Sequence, residues 1–240
     1  MLELNKTHCM DALEGLAQLP GESVDLIVTS PPYKEEDGFS WELMVKTAMQ
    51  CYAVTKRNGL CFVNFGHLAG EKKRPFAVAD CFESVGYEWI DTITWIKPQY
   101  SPAQGEKRLN NVTEFIFMFA KGAGYKLNRL SIGVPYVDKS NVGRYSEIDM
   151  HCAGNVWIMG YDTIQRRDQK LHPDRFPLEL PRRCIKLSNI PDGSVVLDPF
   201  MGSGTTARAA VELGKQFIGF EHNPKYCEIA NSWEEAAANA

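Results

Sequence analysis

Short apolar runs alternate with helical patterns along most of this chain, and that alternation limits the folds open to it. Residues 24–29, Val-Asp-Leu-Ile-Val-Thr, are mostly apolar and lead through Ser30 into Pro31-Pro32, which marks a buried strand ending in a rigid turn. In residues 41–56, Trp41, Met44, Val45, Ala48 and Cys51 or Tyr52 share one helical face, and Gly59 follows. Residues 60–65 form the next strand, 76–85 a helix closed by Gly86, and 89–96 and 114–120 two strands rich in β-branched and aromatic residues. The pattern returns after a gap with a helix near 177–187, a strand at 194–197, a helix at 205–213, a strand at 216–220 and a terminal helix from about Asn223. Strand–helix alternation of this kind predicts a mostly parallel sheet with helices on both faces.

Between these regular parts, residues 121–155 hold five glycines and little periodicity. With residues 98–111 they read as irregular structure outside the sheet. The expected organisation is therefore a main sheet domain from 1–97 and 156–240, with an insertion at 98–155. The charge balance supports a separate role for this part of the chain. From Lys97 to Arg183 there are 14 Lys and Arg against 9 Asp and Glu, while the whole chain carries a net charge of −4. A chain that is acidic overall can still present one basic face to phosphates.

Several classes are disfavoured. No run of about 18 apolar residues is present for a transmembrane helix, and the start lacks a signal-peptide pattern. Seven scattered cysteines without a CxxC spacing read as reduced thiols of a cytoplasmic protein. Five histidines form no metal-ligand cluster, so no metal is expected.

Ligands of parallel sheets bind beyond the carboxyl ends of the strands. Three strands end there in chemically suggestive residues: Thr29 before Ser30-Pro31-Pro32-Tyr33, Leu197 before Asp198-Pro199-Phe200, and Phe220 before Glu221. The string Asp198-Pro199-Phe200-Met201-Gly202-Ser203-Gly204-Thr205-Thr206 joins a strand to a helix. Gly202 and Gly204 permit a tight turn and close approach of a ligand. The loop is not GxGxxG and has no P-loop lysine. The Asp198 carboxylate would repel phosphate and suit an ammonium or sulfonium group. Glu221, 23 residues on, stands where an acidic residue accepts hydrogen bonds from ribose hydroxyls.

The Ser30–Tyr33 turn offers different chemistry. Neither proline has an N–H, so their carbonyls remain as acceptors, Ser30 adds a hydroxyl and Tyr33 an aromatic face. Acceptors placed on the two hydrogens of an exocyclic amine would localise its lone pair and stabilise the charge that develops on nitrogen.

In this order, the two motifs resemble the DNA amino-methyltransferases that form N4-methylcytosine or N6-methyladenine, in their beta arrangement, with the catalytic turn first. The resemblance spans essentially the whole chain. It includes Asp11-Ala12-Leu13, Thr94-Trp95-Ile96-Lys97-Pro98 and the region of His172-Pro173 and Phe176-Pro177. Pro181 departs from the pattern early in the following helix, and a long recognition domain is missing. The resemblance implies a Rossmann-like S-adenosylmethionine-dependent methyltransferase fold. It places Asp11, Asp198, Phe200, Gly202, Gly204, Thr205, Thr206 and Glu221 on S-adenosyl-L-methionine. It places Ser30, Pro31, Pro32 and Tyr33 on the target base. Within the family, Ser-Pro-Pro-Tyr goes mostly with cytosine N4 and Asp-Pro-Pro-Tyr mostly with adenine N6, and both bases stay open here.

Either amine is paired in a duplex, so the partner is double-stranded DNA with a flipped-out base. Lys107, Arg108, Arg129 and Arg144, with Lys126 and Lys139, are the expected phosphate contacts, interleaved with Tyr100, Tyr125, Tyr136 and Tyr145. Arg166-Arg167 is a second candidate contact. A homodimer and a cognate restriction enzyme are further partners that the resemblance allows.

Overall fold

A computed structural model describes residues 2–68, 70–99, 107, 109–144, 147–160 and 176–238. Its centre is one eight-stranded sheet. The strands are β1 (Lys6–Cys9), β2 (Val24–Thr29), β3 (Thr55–Gly66), β4 (Glu88–Ile96), β5 (Thr113–Ala120), β6 (Val156–Ile158), β7 (Val195–Asp198) and β8 (Gln216–Glu221). Their spatial order is β1-β8-β7-β2-β3-β5-β4-β6. Only β5 runs against its neighbours, pairing antiparallel with both β3 and β4. The helices are α1 (Ala12–Ala17), α2 (Trp41–Val54), α3 (Arg74–Ser84), α4 (Glu179–Leu187), α5 (Thr205–Glu212) and α6 (Pro224–Ala238).

Alternating side chains of the central strands feed two cores, one on each face. Leu60 and Phe62 of β3 join Ile116 and Met118 of β5 and the buried faces of α4 and α5. Cys61, Val63 and Phe65 join Phe117, Phe119 and the buried residues of α1, α2 and α3. Each fully buried Val, Leu, Ile or Phe contributes roughly 1.5–3 kcal/mol relative to exposure, so the sheet is held from both sides. The exposed edge strand β1 is closed by α6: the Asn231 amide accepts from Thr7 N–H (2.8 Å) and donates to Thr7 C=O (3.0 Å).

The expected alternation holds, with corrections that have local causes. Thr55 follows Val54 directly into β3, and its hydroxyl donates to Cys51 C=O at 2.7 Å. Gly59 therefore lies inside β3 and is no helix cap; a Cβ there would stand 3.0 Å from Asp25 C=O. The buried face of α2 is Met44, Thr47, Ala48, Cys51 and Val54, whereas Trp41 and Val45 are exposed. Pro181 sits in the first turn of α4, where its missing N–H leaves no acceptor unpaired. Strands β1 and β6 and helix α1 are additions to the expected elements. The boundary of the insertion is also redrawn. β5 falls within residues 98–155 yet occupies the sheet between β3 and β4, so it is part of the main sheet.

Candidate active site

Strands β8, β7 and β2 are adjacent and parallel, so Glu221, Asp198 and Thr29 end on the same edge of the sheet. A cavity of about 900 Å³ opens above them. That is near the upper end for small-molecule sites and leaves room for a nucleoside cofactor with a second planar group beside it.

One wall is built from backbone. Gly202 and Gly204 adopt left-handed φ values of 55° and 88°, a region that side chains disfavour. The loop is tied down at both ends. Asp198 is 1% exposed. Its Oδ1 accepts from Thr29 Oγ1 (2.7 Å) and from Phe200 N–H (3.0 Å), and its Oδ2 accepts from Thr206 Oγ1 (2.7 Å). Burial pushes the Asp198 carboxyl up to about 6, against the hydrogen bonds of Thr29 and Thr206. Glu221 Oε2 accepts from Gly202 N–H at 3.0 Å and its Oε1 from Asn223 N–H at 2.8 Å. Asp11 caps α1, accepting from Leu13 N–H (2.8 Å) and Glu14 N–H (3.3 Å), and faces the cavity.

Phe200, Gly202, Thr205, Glu221 and Asp11 all line the cavity. Asp198, Gly204 and Thr206 do not; they stand behind the loop and hold its shape. The Asp198 carboxylate, expected to face a cation directly, is instead taken up by two threonine hydroxyls and a backbone N–H. A glycine loop whose Phe200, Met201, Gly202 and Gly204 N–H groups are already bonded within the protein, without a cationic side chain and with a carboxylate at its edge, fits a nucleoside bearing a cationic group better than a polyphosphate.

The opposite wall is built from side chains. Ser30, Pro31, Pro32 and Tyr33 all line it. The Tyr33 ring stacks on Phe65, with centroids 4.3 Å apart. Its hydroxyl lies 3.1 Å from Asn64 Oδ1 and 3.1 Å from Glu114 Oε2, and accepts from Ser30 Oγ at 3.2 Å. Glu114 Oε1 accepts from Lys97 Nζ at 2.8 Å, both side chains being only 12% exposed. Asn64 is held in turn by donating to Phe115 C=O at 3.0 Å. Gly66 closes this wall: a Cβ there would stand 2.9 Å from Tyr33 Cε2 and 3.1 Å from Glu114 Cδ.

Asn64, Lys97, Glu114 and His67 are cavity residues without an expected role from the sequence. Each comes from a strand end far from the two motifs, and of the four only Lys97 falls in a string the resemblance includes, Thr94-Trp95-Ile96-Lys97-Pro98, which gives it no role. The His67 imidazole is held below the usual histidine range, by burial first and then by Lys72. Its Nδ1 is buried without a hydrogen-bond partner among the described residues.

The expected DNA contacts fare differently. Lys107, Arg129 and Arg144 are exposed and lie outside the cavity wall. Arg108, Tyr100, Tyr145, Arg166-Arg167 and His172-Pro173 lie outside the described residues. Lys139 pairs with Asp149. Tyr125 packs against the core, and Tyr136 contacts the His151 ring at 4.7 Å.

Comparison with known proteins agrees with this architecture. Residues 24–232 match the family model for N6/N4 methyltransferases described as DNA methylase. The orphan methyltransferase M.BamHII of Bacillus amyloliquefaciens is 31% identical over 87% of this chain and 88% of its own. The DNA adenine methyltransferase YhdJ of Escherichia coli K12 is 29% identical over 91% of this chain and 79% of its own. Among solved structures, a DNA modification methylase of Thermus thermophilus, TTHA0409, in complex with S-adenosyl-L-methionine, superposes with a TM-score of 0.67 at 25% identity, covering 98% of this chain and 95% of that one. With the motif order, the sheet and the two-walled cavity in agreement, the chain belongs to the N6/N4 DNA methylase family, the S-adenosyl-L-methionine-dependent methyltransferases of DNA.

Proposed function

We propose that the protein methylates the N4 amine of cytosine, flipped out of double-stranded DNA, within a short recognition sequence. Ser30 carries this reading. Its hydroxyl heads the catalytic turn and reaches Tyr33 Oη and Asn64 Oδ1, at 3.2 and 3.5 Å. A hydroxyl both donates and accepts, so it can serve the amine and the neighbouring ring nitrogen of cytosine together, whereas an aspartate could only accept.

S-adenosyl-L-methionine, bound along the backbone wall, supplies an electrophilic methyl group. Glu221 would accept from its ribose hydroxyls, and the Gly202 turn gives the close approach it needs. Asp11 and Phe200 border the same volume. The chain's own work lies on the other wall. Phe65 stacks on Tyr33, and the ring borders the cavity, where it would stack on an extruded base. The Pro31 and Ser30 oxygens would grip the amine hydrogens and stabilise the positive charge that grows on nitrogen, which is discharged when one of those protons passes to solvent and the sulfonium leaves as a neutral thioether. With base and methyl held in line, much of the rate comes from orientation. Exposed Lys107, Arg129 and Arg144, with Arg108, would position the duplex through its phosphates.

Adenine N6 is the second reading, favoured by the similarity to YhdJ. Expression in a methylation-free host, followed by nucleoside mass spectrometry and sequencing of the modified sites, separates the two. N4-methyldeoxycytidine is the expected product. N6-methyldeoxyadenosine alone would transfer the assignment to adenine.

A further inference from the structure

Two prolines fix φ at Pro31 and Pro32, but they set nothing beyond Pro32. What holds Tyr33 and the rim that follows is a buried arginine on another element. Arg74 opens α3 with its side chain only 4% exposed. Its Nη1 donates to Tyr33 C=O at 2.9 Å, its Nη2 to Glu35 Oε1 at 2.7 Å and its Nε to Glu71 Oε2 at 2.6 Å. The guanidinium lies 4.4 Å over the Phe39 ring. Phe39 meets Phe65 edge-on at 6.2 Å, and Phe65 stacks on Tyr33. Arg74 thus grips the segment 33–39 at its start, in its middle and at its end. That segment is knitted internally by Asp37 and Phe39 N–H to Lys34 C=O and Gly38 N–H to Glu35 C=O. Lys34, Glu36, Asp37 and Gly38 line the cavity.

Stability alone is a poor account of this arrangement. Both carboxylate partners are more than half exposed, at 69% and 51%, and exposed pairs of this kind contribute little. Burying the guanidinium is costly, and such groups are best attested where they fix one arrangement among several. Three donors in a rigid fork suit three fixed acceptors, two on the segment 33–39 and one on Glu71, a geometry that a lysine ammonium does not match.

We infer that Arg74 is a positioning residue for methyl transfer: it anchors the catalytic turn and its 34–38 rim as one unit, so that the Tyr33 ring holds the target base in register with the methyl donor. The inference rests on the Ser30–Tyr33 turn being the base-holding turn.

The test uses the full chain with Arg74→Met, Arg74→Lys and Glu35→Ala. It reads amide hydrogen exchange, single-turnover transfer from labelled S-adenosyl-L-methionine to DNA, and cofactor affinity. In Arg74→Met, exchange over residues 33–39 should rise at least about tenfold with β3 and β7 unchanged. Transfer should slow by about 30- to 100-fold, and the cofactor Kd should stay within about threefold. Arg74→Lys should fall between Arg74→Met and wild type. Unchanged exchange over 33–39, or a transfer rate within twofold of wild type despite a lowered Tm, would overturn the inference. Should Arg74→Met not fold, Glu35→Ala removes one arm at a largely exposed position. It should raise exchange at 34–38 and slow transfer about three- to fivefold, and no change in either would overturn the inference equally. A wild-type protein that transfers no methyl group to DNA would sink the base-holding reading, while the exchange data still decide whether Arg74 anchors the segment.

Discussion

The two walls of the cavity solve the same problem, holding a ligand in place, by opposite means. The wall proposed for the cofactor is a contiguous stretch of backbone, from Asp198 to Thr206, held by short-range bonds within the stretch and by Glu221, Thr29 and Phe220 C=O. The wall proposed for the base is a mosaic. Ser30 and Tyr33 come from one loop, Asn64 from the end of β3, Lys97 from just beyond β4, Glu114 from β5 and Arg74 from α3. Backbone-built sites need particular φ values and close approach, so they constrain consecutive residue types. Side-chain mosaics need only that strand ends converge.

The sharpest way to test this division is Tyr33→Ala. It removes the ring that stacks on Phe65 and the hydroxyl shared by Asn64 and Glu114, but touches nothing on the cofactor wall. We expect kcat to fall on the order of 10³-fold, about 4 kcal/mol of transition-state stabilisation. Cofactor affinity by calorimetry should stay within about threefold. A comparable loss of cofactor affinity would mean that the walls are not separable.

That separation also explains what could be read from the sequence. The glycine loop, the Ser-Pro-Pro-Tyr turn and Glu221 are visible because each is a short string with its own geometry. The parallel sheet is visible because buried strands and helices write different periods into the chain. Asn64, Glu114 and Arg74 are not visible. Asn64 and Glu114 sit in strands whose other residues are mostly apolar. Arg74 follows Lys72-Lys73 and looks like part of a solvated basic run. Asp198 stands out in the sequence, but with a different role from the one it plays. The string shows an acid beside a glycine loop, whereas the direction of its carboxylate depends on Thr29, 169 residues away. The insertion boundary fails for a related reason, since residues 113–120 lie between irregular stretches and only pairing with β3 and β4 brings them into the sheet.

A smaller effect, on the other wall, comes from Glu221→Gln. The carboxylate accepts from Gly202 and Asn223 N–H groups while facing the cavity. An amide keeps the size but weakens charge-assisted bonds of about 1.5–3 kcal/mol each and turns one donor toward another. The cofactor Kd should rise by about 30- to 100-fold, with kcat at saturating cofactor within about threefold. A fall in kcat with unchanged Kd would assign Glu221 to the chemistry and erase the contrast with Tyr33→Ala.

The smallest effect concerns Asp198, which joins the walls through Thr29 at the root of the catalytic turn. Burial raises its folded pKa from the ordinary 3.8 to about 6. Between those values the folded protein holds a proton that the unfolded chain has lost, so this group's contribution to stability falls as pH rises from about 4 to 6 and is level above. A rise of about two units corresponds to at most about 3 kcal/mol, and we expect about 2 after local relaxation. Carboxylates lowered by cationic partners, such as Glu35 beside Arg74 and Asp149 beside Lys139, act in the opposite sense and lose stability toward acid. The measurement is therefore a difference. Asp198→Asn keeps the shape but cannot ionise, so its deficit against wild type in urea unfolding should shrink by about 2 kcal/mol between pH 4 and pH 7. A constant deficit would show that the carboxyl is ionised throughout this range, and that Thr29 and Thr206 outweigh its burial.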